Sequence, residues 1–453
     1  MIVGPLMPAP ILAYYLTPPD YSVKDFYPAA IGEILNGTYQ VVAKLGYGTA
    51  STTWLCRDLR NHRYATLKIY ASRQPQTNRE VAALRHINAV LAASAPVKHG
   101  GATSIRTLID QFEIPRSKTT SRANLCLVFE PLGMSLADAR KRMFGGRMPV
   151  DIVKGVIFCL LQALDFLHRE ANMVHGDIQE DNILFAIPRK AELKKVEEAE
   201  MAEPSPRKVF KTHTIYSSRP LELQPTVPVL CDFGEARFGS ESYGEHVMPD
   251  LYRAPEIVLR IEWDEKIDIW ALGLMMWTLV EGTNLFTDNR GGRWVSALPH
   301  MARIVSLLGP PPIDLLKGWD ASPVTRRYFD KTELTALEGE AKADFLRFLR
   351  RLLQWDPVKR PSAHELLEDA CVPGSVPGNL EDGADFEATP GCVSGRMVPS
   401  AEDKWSCENI VHMGVVFFPA EESVGLERTE AVLAAVELPA LLRMLAAHKG
   451  GLR

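Results

Sequence analysis

The sequence predicts an α+β chain of two lobes, a small β-rich one followed by a larger, mainly helical one. Three observations carry this. The chain of 453 residues exceeds what one hydrophobic core usually organises. Its first third alternates apolar and other positions with the period of two that strands need. Beyond it, Val153, Val156, Ile157, Leu160, Leu161, Leu164 and Leu167 follow the spacing of a long amphipathic helix.

Residues 1–37 form an N-terminal extension rich in Pro and Tyr without periodicity, expected to wrap on a neighbouring surface or stay mobile, with order beginning near Tyr39. In the first lobe, 38–132, the alternation of Tyr39, Val41, Ala43 and Leu45 leads into a glycine turn and then Thr53–Cys56, which reads as strand, turn, strand. A third strand covers Tyr64–Tyr70, Asn78–Ile87 has helical character, and Leu125–Phe129 is a further strand ending at Glu130-Pro131-Leu132-Gly133. In the second lobe, 133–371, the apolar run Ile267–Val280 is interrupted by Asp268 and fits a buried core helix better than a membrane span. Between Phe185 and Val229, at about 186–228, dense charge and proline predict an inserted, largely exposed loop. Residues 372–453 are a tail of unassigned role, in which Val424–Ala447 has the pattern of a short amphipathic helix broken by Pro439. No internal repeats are visible.

Composition excludes several classes. Apolar residues at 46% and charged residues at 24% are ordinary for a globular chain. The net charge of -5 gives no basic surplus for nucleic acid, so no direct nucleic-acid partner is expected. Seven cysteines, scattered and without CxxC spacing, suit reduced thiols in the cytoplasm or nucleus. The N-terminus lacks a basic n-region, so neither a signal peptide nor a membrane partner is expected, and a monomer is.

The chemistry resides in motifs along the chain. In Leu45-Gly46-Tyr47-Gly48-Thr49-Ala50-Ser51-Thr52-Thr53, two glycines let backbone N–H groups approach phosphate oxygens, although such turns are common in plain hairpins. Lys68, on the third strand, can reach two phosphates, and Glu80, twelve residues on, can hold it. Met173-Val174-His175-Gly176-Asp177-Ile178-Gln179-Glu180-Asp181-Asn182 follows the long helix; Asp177 can accept a hydroxyl proton and Asn182 can offer an amide oxygen to a metal ion. Asp232 of Asp232-Phe233-Gly234 offers magnesium a hard carboxylate. Tyr252-Arg253-Ala254-Pro255-Glu256 and Asp268-Ile269-Trp270-Ala271-Leu272-Gly273 complete the series. Each alone is a turn or a core helix; five in one order are not coincidence.

In that order the motifs resemble the protein-kinase signature set, from about Tyr39 to Asp369, closing on Trp355-Asp356-Pro357-Val358-Lys359-Arg360. The Tyr252-Arg253 pair and the segment His300–Leu308 look like the CMGC group. Lys44-Leu45-Gly46-Tyr47-Gly48 with Trp54-Leu55, the segment Val128–Gly133 and the insertion resemble SR-protein kinases, particularly fungal ones. The resemblance implies a two-lobed serine/threonine kinase that uses ATP and Mg2+ on protein substrates, arginine/serine-rich splicing factors among them. It implies Phe129 as gatekeeper, Glu130 and Leu132 backbone on adenine, Lys68 on the phosphates, Asp177 with Gln179 and Asn182 at the reacting hydroxyl, and Asn182 and Asp232 on metal. Asp268 and Arg360 would be buttresses.

Departures keep alternatives open. Gln179 stands where the family has a charge-neutralising lysine, and Gly176 replaces an arginine that reads an activation-loop phosphate. Ser51 stands at a usual glycine, and Thr53 and Thr66 put hydroxyls where the adenine roof is usually apolar. An active kinase, a pseudokinase binding nucleotide without useful turnover, and a small-molecule kinase are the three readings, in that order.

Overall fold

The computed structural model describes residues 25–368, apart from 73–74, 94–98, 116–122, 188–190, 220, 222–225, 240–242, 245–246, 287–296 and 313–334. The helix expected at 424–447 lies outside the described residues, as does the rest of the tail.

The first lobe is a six-stranded antiparallel sheet: β1 (Ile34–Leu35), β2 (Tyr39–Tyr47), β3 (Ser51–Asp58), β4 (Arg63–Tyr70), β5 (Asp110–Pro115) and β6 (Ala123–Phe129), ordered β1-β2-β3-β4-β6-β5. Alternation sorts its side chains by face. Trp54, Leu67, Ile69, Cys126 and Val128 pack on one side with Ala29, Leu35 and Tyr216. On the other, Tyr70, Leu127 and Phe129 meet Ala83, Leu84 and Ile87 of α1 (Pro75–Ala93). That helix runs beyond the expected 78–87 at both ends, in keeping with the high helix propensity of Ala89, Ala92 and Ala93. Order also begins before Tyr39: Phe26 and Ala29 are buried, and β1 pairs with β2, so residues 25–37 belong to the sheet's core.

The second lobe is built on α3 (Val150–Asp165) and α6 (Lys266–Glu281), with the short α2 (Leu136–Lys141) before them and the short α5 (Pro255–Leu259) leading into α6. Every residue of α6 from Ile267 to Glu281 is buried, which explains an apolar run without an exposed stripe. Among the described residues no helix is long and apolar enough to cross a membrane. Behind α6, Arg360 donates to both oxygens of Glu256 at 2.5 and 2.7 Å, with both side chains fully buried. Between the lobes lie two small sheets, β7 (Leu132–Ser135) with β9 (Ile183–Ala186) and β12 (Pro228–Leu230), and β8 (Met173–Val174) with β13 (Arg237–Phe238).

The insertion overturns one expectation. It is not an exposed loop: it folds into α4 (Ala191–Ala202) and a hairpin of β10 (Arg207–Val209) and β11 (Thr214–Tyr216). Leu193 and Leu221 are buried against Val42, Ala43 and Leu55 of the first lobe. Arg57 and Tyr64 of the sheet both bond Glu197, and the Lys44 ammonium donates to the Tyr216 carbonyl at 3.2 Å. The charges that suggest a solvated loop lie largely on one side, as with Lys194, Lys195 and Glu198, while Leu193, Val196 and Glu200 repeat at helical spacing on the packed side. Glu200 is buried because Arg219, at 2.6 Å, and Ser205 satisfy its carboxylate.

Candidate active site

The cleft collects side chains from both lobes. On β4, Thr66 and Lys68 share a face, and β3 sets Thr53 directly across from Lys68. Lys68 Nζ lies 3.0 Å from each oxygen of Glu80 on α1 and 3.2 Å from Asp232. Burial works against the ammonium, but Glu80 and Asp232 outweigh it and hold the lysine above its ordinary pKa. Burial likewise opposes the Asp232 carboxylate, and Lys68 outweighs it and keeps that group below the usual range. Asp232 is one of six non-glycine residues with positive φ among the described residues, at +66°, a sparsely populated conformation.

Sequence reasoning missed Tyr70, whose hydroxyl donates to Glu80 and whose ring lies 5.0 Å from Lys68 Nζ. Its position two residues past Lys68 on a strand was the available signal, since alternate residues share a face.

The loop after β8 supplies the second cluster. Asn182 Nδ2 donates to Asp177 Oδ2 at 2.7 Å and to the Asp177 carbonyl at 2.8 Å, while Gln179 Nε2 donates to Asp177 Oδ1 at 2.8 Å. Both oxygens of Asp177 are thus oriented. Burial still pushes its carboxyl up to about 7; the two amide bonds pull it down, and Asp232 and Glu235 push it further up. Beneath, Asp268 accepts the backbone N–H groups of His175 and Gly176 at 2.8 and 2.9 Å, and His175 meets the Cys231 carbonyl at 3.1 Å. Gly176 has φ +76°, and a Cβ there would lie 3.0 Å from the Glu235 carbonyl oxygen, so the backbone itself restricts this position. Arg79 of α1 donates to the Gly234 carbonyl at 3.1 Å and to Glu235 at 3.3 Å, tying the segment after Asp232 to the helix that carries Glu80.

The β2–β3 turn roofs the cleft. Gly48 N–H donates to the Ser51 carbonyl at 2.9 Å. A Cβ on Gly46 or Gly48 would meet nothing within 4 Å, and neither has a positive φ. Neither packing nor backbone geometry demands glycine there, which leaves room for a ligand as its chemical use. Tyr47, Gly48 and Thr49 are exposed and Ala50 half-buried. Ser51 is buried on the Lys68 face, whereas Thr52 turns to the opposite face, where its hydroxyl accepts from Trp54 Nε1 at 3.0 Å. Leu45 packs against the insertion's apolar cluster. Phe129 ends β6, and Glu130, with an exposed side chain, joins it to Leu132 at the start of β7. Among the described residues the buried Thr66 hydroxyl has no hydrogen-bond partner.

Among the described residues no group of three or more His, Cys, Asp or Glu is placed to hold a metal. Magnesium does not need one: it takes one or two protein oxygens together with phosphates and water. The Asp232 carboxylate and the Asn182 amide oxygen, whose amide nitrogen is committed to Asp177, fit that chemistry.

Comparison with known proteins agrees with this geometry. The protein kinase domain family matches residues 39–372. A serine/threonine protein kinase of Aspergillus fumigatus is 39% identical over 366 residues, covering 76% of this chain and 86% of that protein. The serine/threonine-protein kinase SRPK of Physarum polycephalum is 26% identical, covering 77% of this chain and 89% of its own. A crystal structure of a kinase domain superposes with a TM-score of 0.58 at 23% identity, over 78% of this chain and 100% of the other, a likeness of fold. The chain belongs to the protein kinase family, as a serine/threonine protein kinase whose relatives include the SR-protein kinase type.

Proposed function

We propose that the chain transfers the γ-phosphoryl group of ATP to serine or threonine hydroxyls of arginine/serine-rich proteins, using the cleft between its lobes. One observation carries this: two polar clusters, Lys68–Glu80–Asp232 and Asp177–Gln179–Asn182, meet in that cleft, joined where the N–H of Cys231, the residue before Asp232, donates to the Asn182 carbonyl at 2.8 Å. The acceptor class follows from the likeness to SR-protein kinases and from the net charge of -5, which suits a basic substrate.

In this reading the β2–β3 turn covers the phosphates with its N–H groups and Lys68 contacts the α and β phosphates. The backbone of Glu130 and Leu132 bonds the adenine. Asp177 orients the acceptor hydroxyl and takes its proton, held in place by Asn182 and Gln179. Magnesium, when bound at Asn182 and Asp232, supplies charge neutralisation for the phosphates. Gln179 can donate a hydrogen bond but carries no charge, which slows transfer without removing the proton acceptor.

Thermal-shift titration tests the site. Millimolar Mg2+–ATP, at about 100 times its dissociation constant, should stabilise the wild type by roughly 2.7 kcal/mol. Lys68→Met should lose most of that shift. Identical behaviour of the two proteins, with no stabilisation in either, would place the nucleotide elsewhere.

A further inference from the structure

Behind Phe129 lies a charged group that the kinase reading does not use. Arg106, just before β5, has its guanidinium carbon 4.1 Å from the centre of the Phe129 ring. Its backbone N–H donates to the Leu230 carbonyl at 2.9 Å, two residues before Asp232, which fixes where the side chain departs. Its positive charge is felt at the Cys231 thiol, at Lys68 and at Glu80. Its Nε is buried and has no hydrogen-bond partner among the described residues. Burying a guanidinium nitrogen without a partner costs free energy, so this placement is not what core packing alone selects.

Glu80 and Asp232 contact Lys68 at 3.0 and 3.2 Å, and Arg106, from farther off, adds a second positive charge that Glu80 and Lys68 both feel. Without Arg106, Lys68 alone would answer both carboxylates, and an incoming polyphosphate would meet a net negative site. With it, part of the Glu80 charge is already answered, and Lys68 is freer to turn toward phosphate. The chain thus has one cation fewer at Gln179, beside the reacting hydroxyl, and Arg106 near the lysine.

We infer that Arg106 is a positioning residue for the nucleotide, a second cation through which the site favours phosphorylated over unphosphorylated adenine ligands. The inference rests on the ATP-dependent reading above and deepens it. It concerns binding, where Gln179 concerns the rate.

The test is calorimetric titration of the full-length chain with Mg2+–ATP and with adenosine. Arg106→Met should weaken ATP about tenfold, the size expected for one charge acting at a distance inside a protein, while adenosine changes by less than about twofold. Arg106→Lys, which restores charge but not planarity, should recover most of the ATP affinity. Arg106→Gln, planar and neutral, should behave like Arg106→Met and replaces it if the methionine variant does not fold. Equal losses for ATP and adenosine would mean that Arg106 only props the Phe129 ring, and the inference falls. ATP affinity unchanged in both neutral variants overturns it as well. A wild type that binds neither ligand defeats the nucleotide reading and this inference together, whereas the preceding outcomes defeat this inference alone.

Discussion

Replacing Gln179 by lysine should raise activity, and by an amount that depends on pH. Gln179 Nε2 sits 2.8 Å from Asp177 Oδ1, so an ammonium there would act directly on the carboxylate. Burial holds Asp177 at about 7. An opposite charge at this range lowers a carboxylate by about 1–3 pH units, which moves the lysine variant to roughly 4–6. At pH 8 both proteins have Asp177 ionised, and the variant gains only the charge neutralisation of the transferring group, about 3 kcal/mol or roughly a hundredfold. At pH 6 only about a tenth of the wild type is ionised, while the variant is still largely so, which adds about another factor of ten.

The assay is kcat/KM for ATP between pH 5 and 9, since this ratio reports groups of the free enzyme. The wild-type rate should fall as pH drops through 7, and the variant's advantage should widen from about a hundredfold to about a thousandfold between pH 8 and pH 6. A constant ratio across pH would refute the role of Asp177 as the titrating base. A ratio at or below one would show that the loop has adapted to glutamine.

Two further outcomes are expected. Arg360→Met leaves the fully buried Glu256 carboxylate without its partner and should cost about 3–5 kcal/mol in urea unfolding; a loss below about 1 kcal/mol would mean that the pair is replaceable by packing. Phosphatase treatment should leave activity unchanged, because Gly176 offers no guanidinium and Arg79 already holds the segment after Asp232 through Glu235 and the Gly234 carbonyl. A large loss on treatment would reveal another cation that reads a phosphate there.

What the sequence made legible, and what it hid, follows from the range of the interactions. Asp177, Asn182 and Gln179 lie within six residues of one another, so their cluster is local and their spacing alone announces it. Lys68 and Asp232, by contrast, are 164 residues apart, and only the motif order joins them; their 3.2 Å contact is a product of folding. The insertion was misread because Lys194, Lys195, Glu197 and Glu198 dominate its composition, while only Leu193, Val196 and Glu200 reveal the packed stripe. Residues 25–37 show no periodicity, yet Phe26, Ala29 and Leu35 are buried, because a sheet face can be covered by an irregular segment as well as by a helix. Arg106 was invisible for a different reason. A single arginine beside apolar Ile105 belongs to no motif, and nothing local shows that it will lie over the Phe129 ring.

Transfer of the labelled γ-phosphoryl group from Mg2+–ATP to an arginine–serine peptide, measured for the wild type and for Asp177→Ala, tests the assignment most directly. The wild type should label serine in the peptide, and Asp177→Ala, which removes the group that Gln179 and Asn182 orient, should lose nearly all of that signal while still binding ATP. Labelling that persists undiminished in Asp177→Ala, or a wild type that binds ATP and labels no hydroxyl, would contradict it.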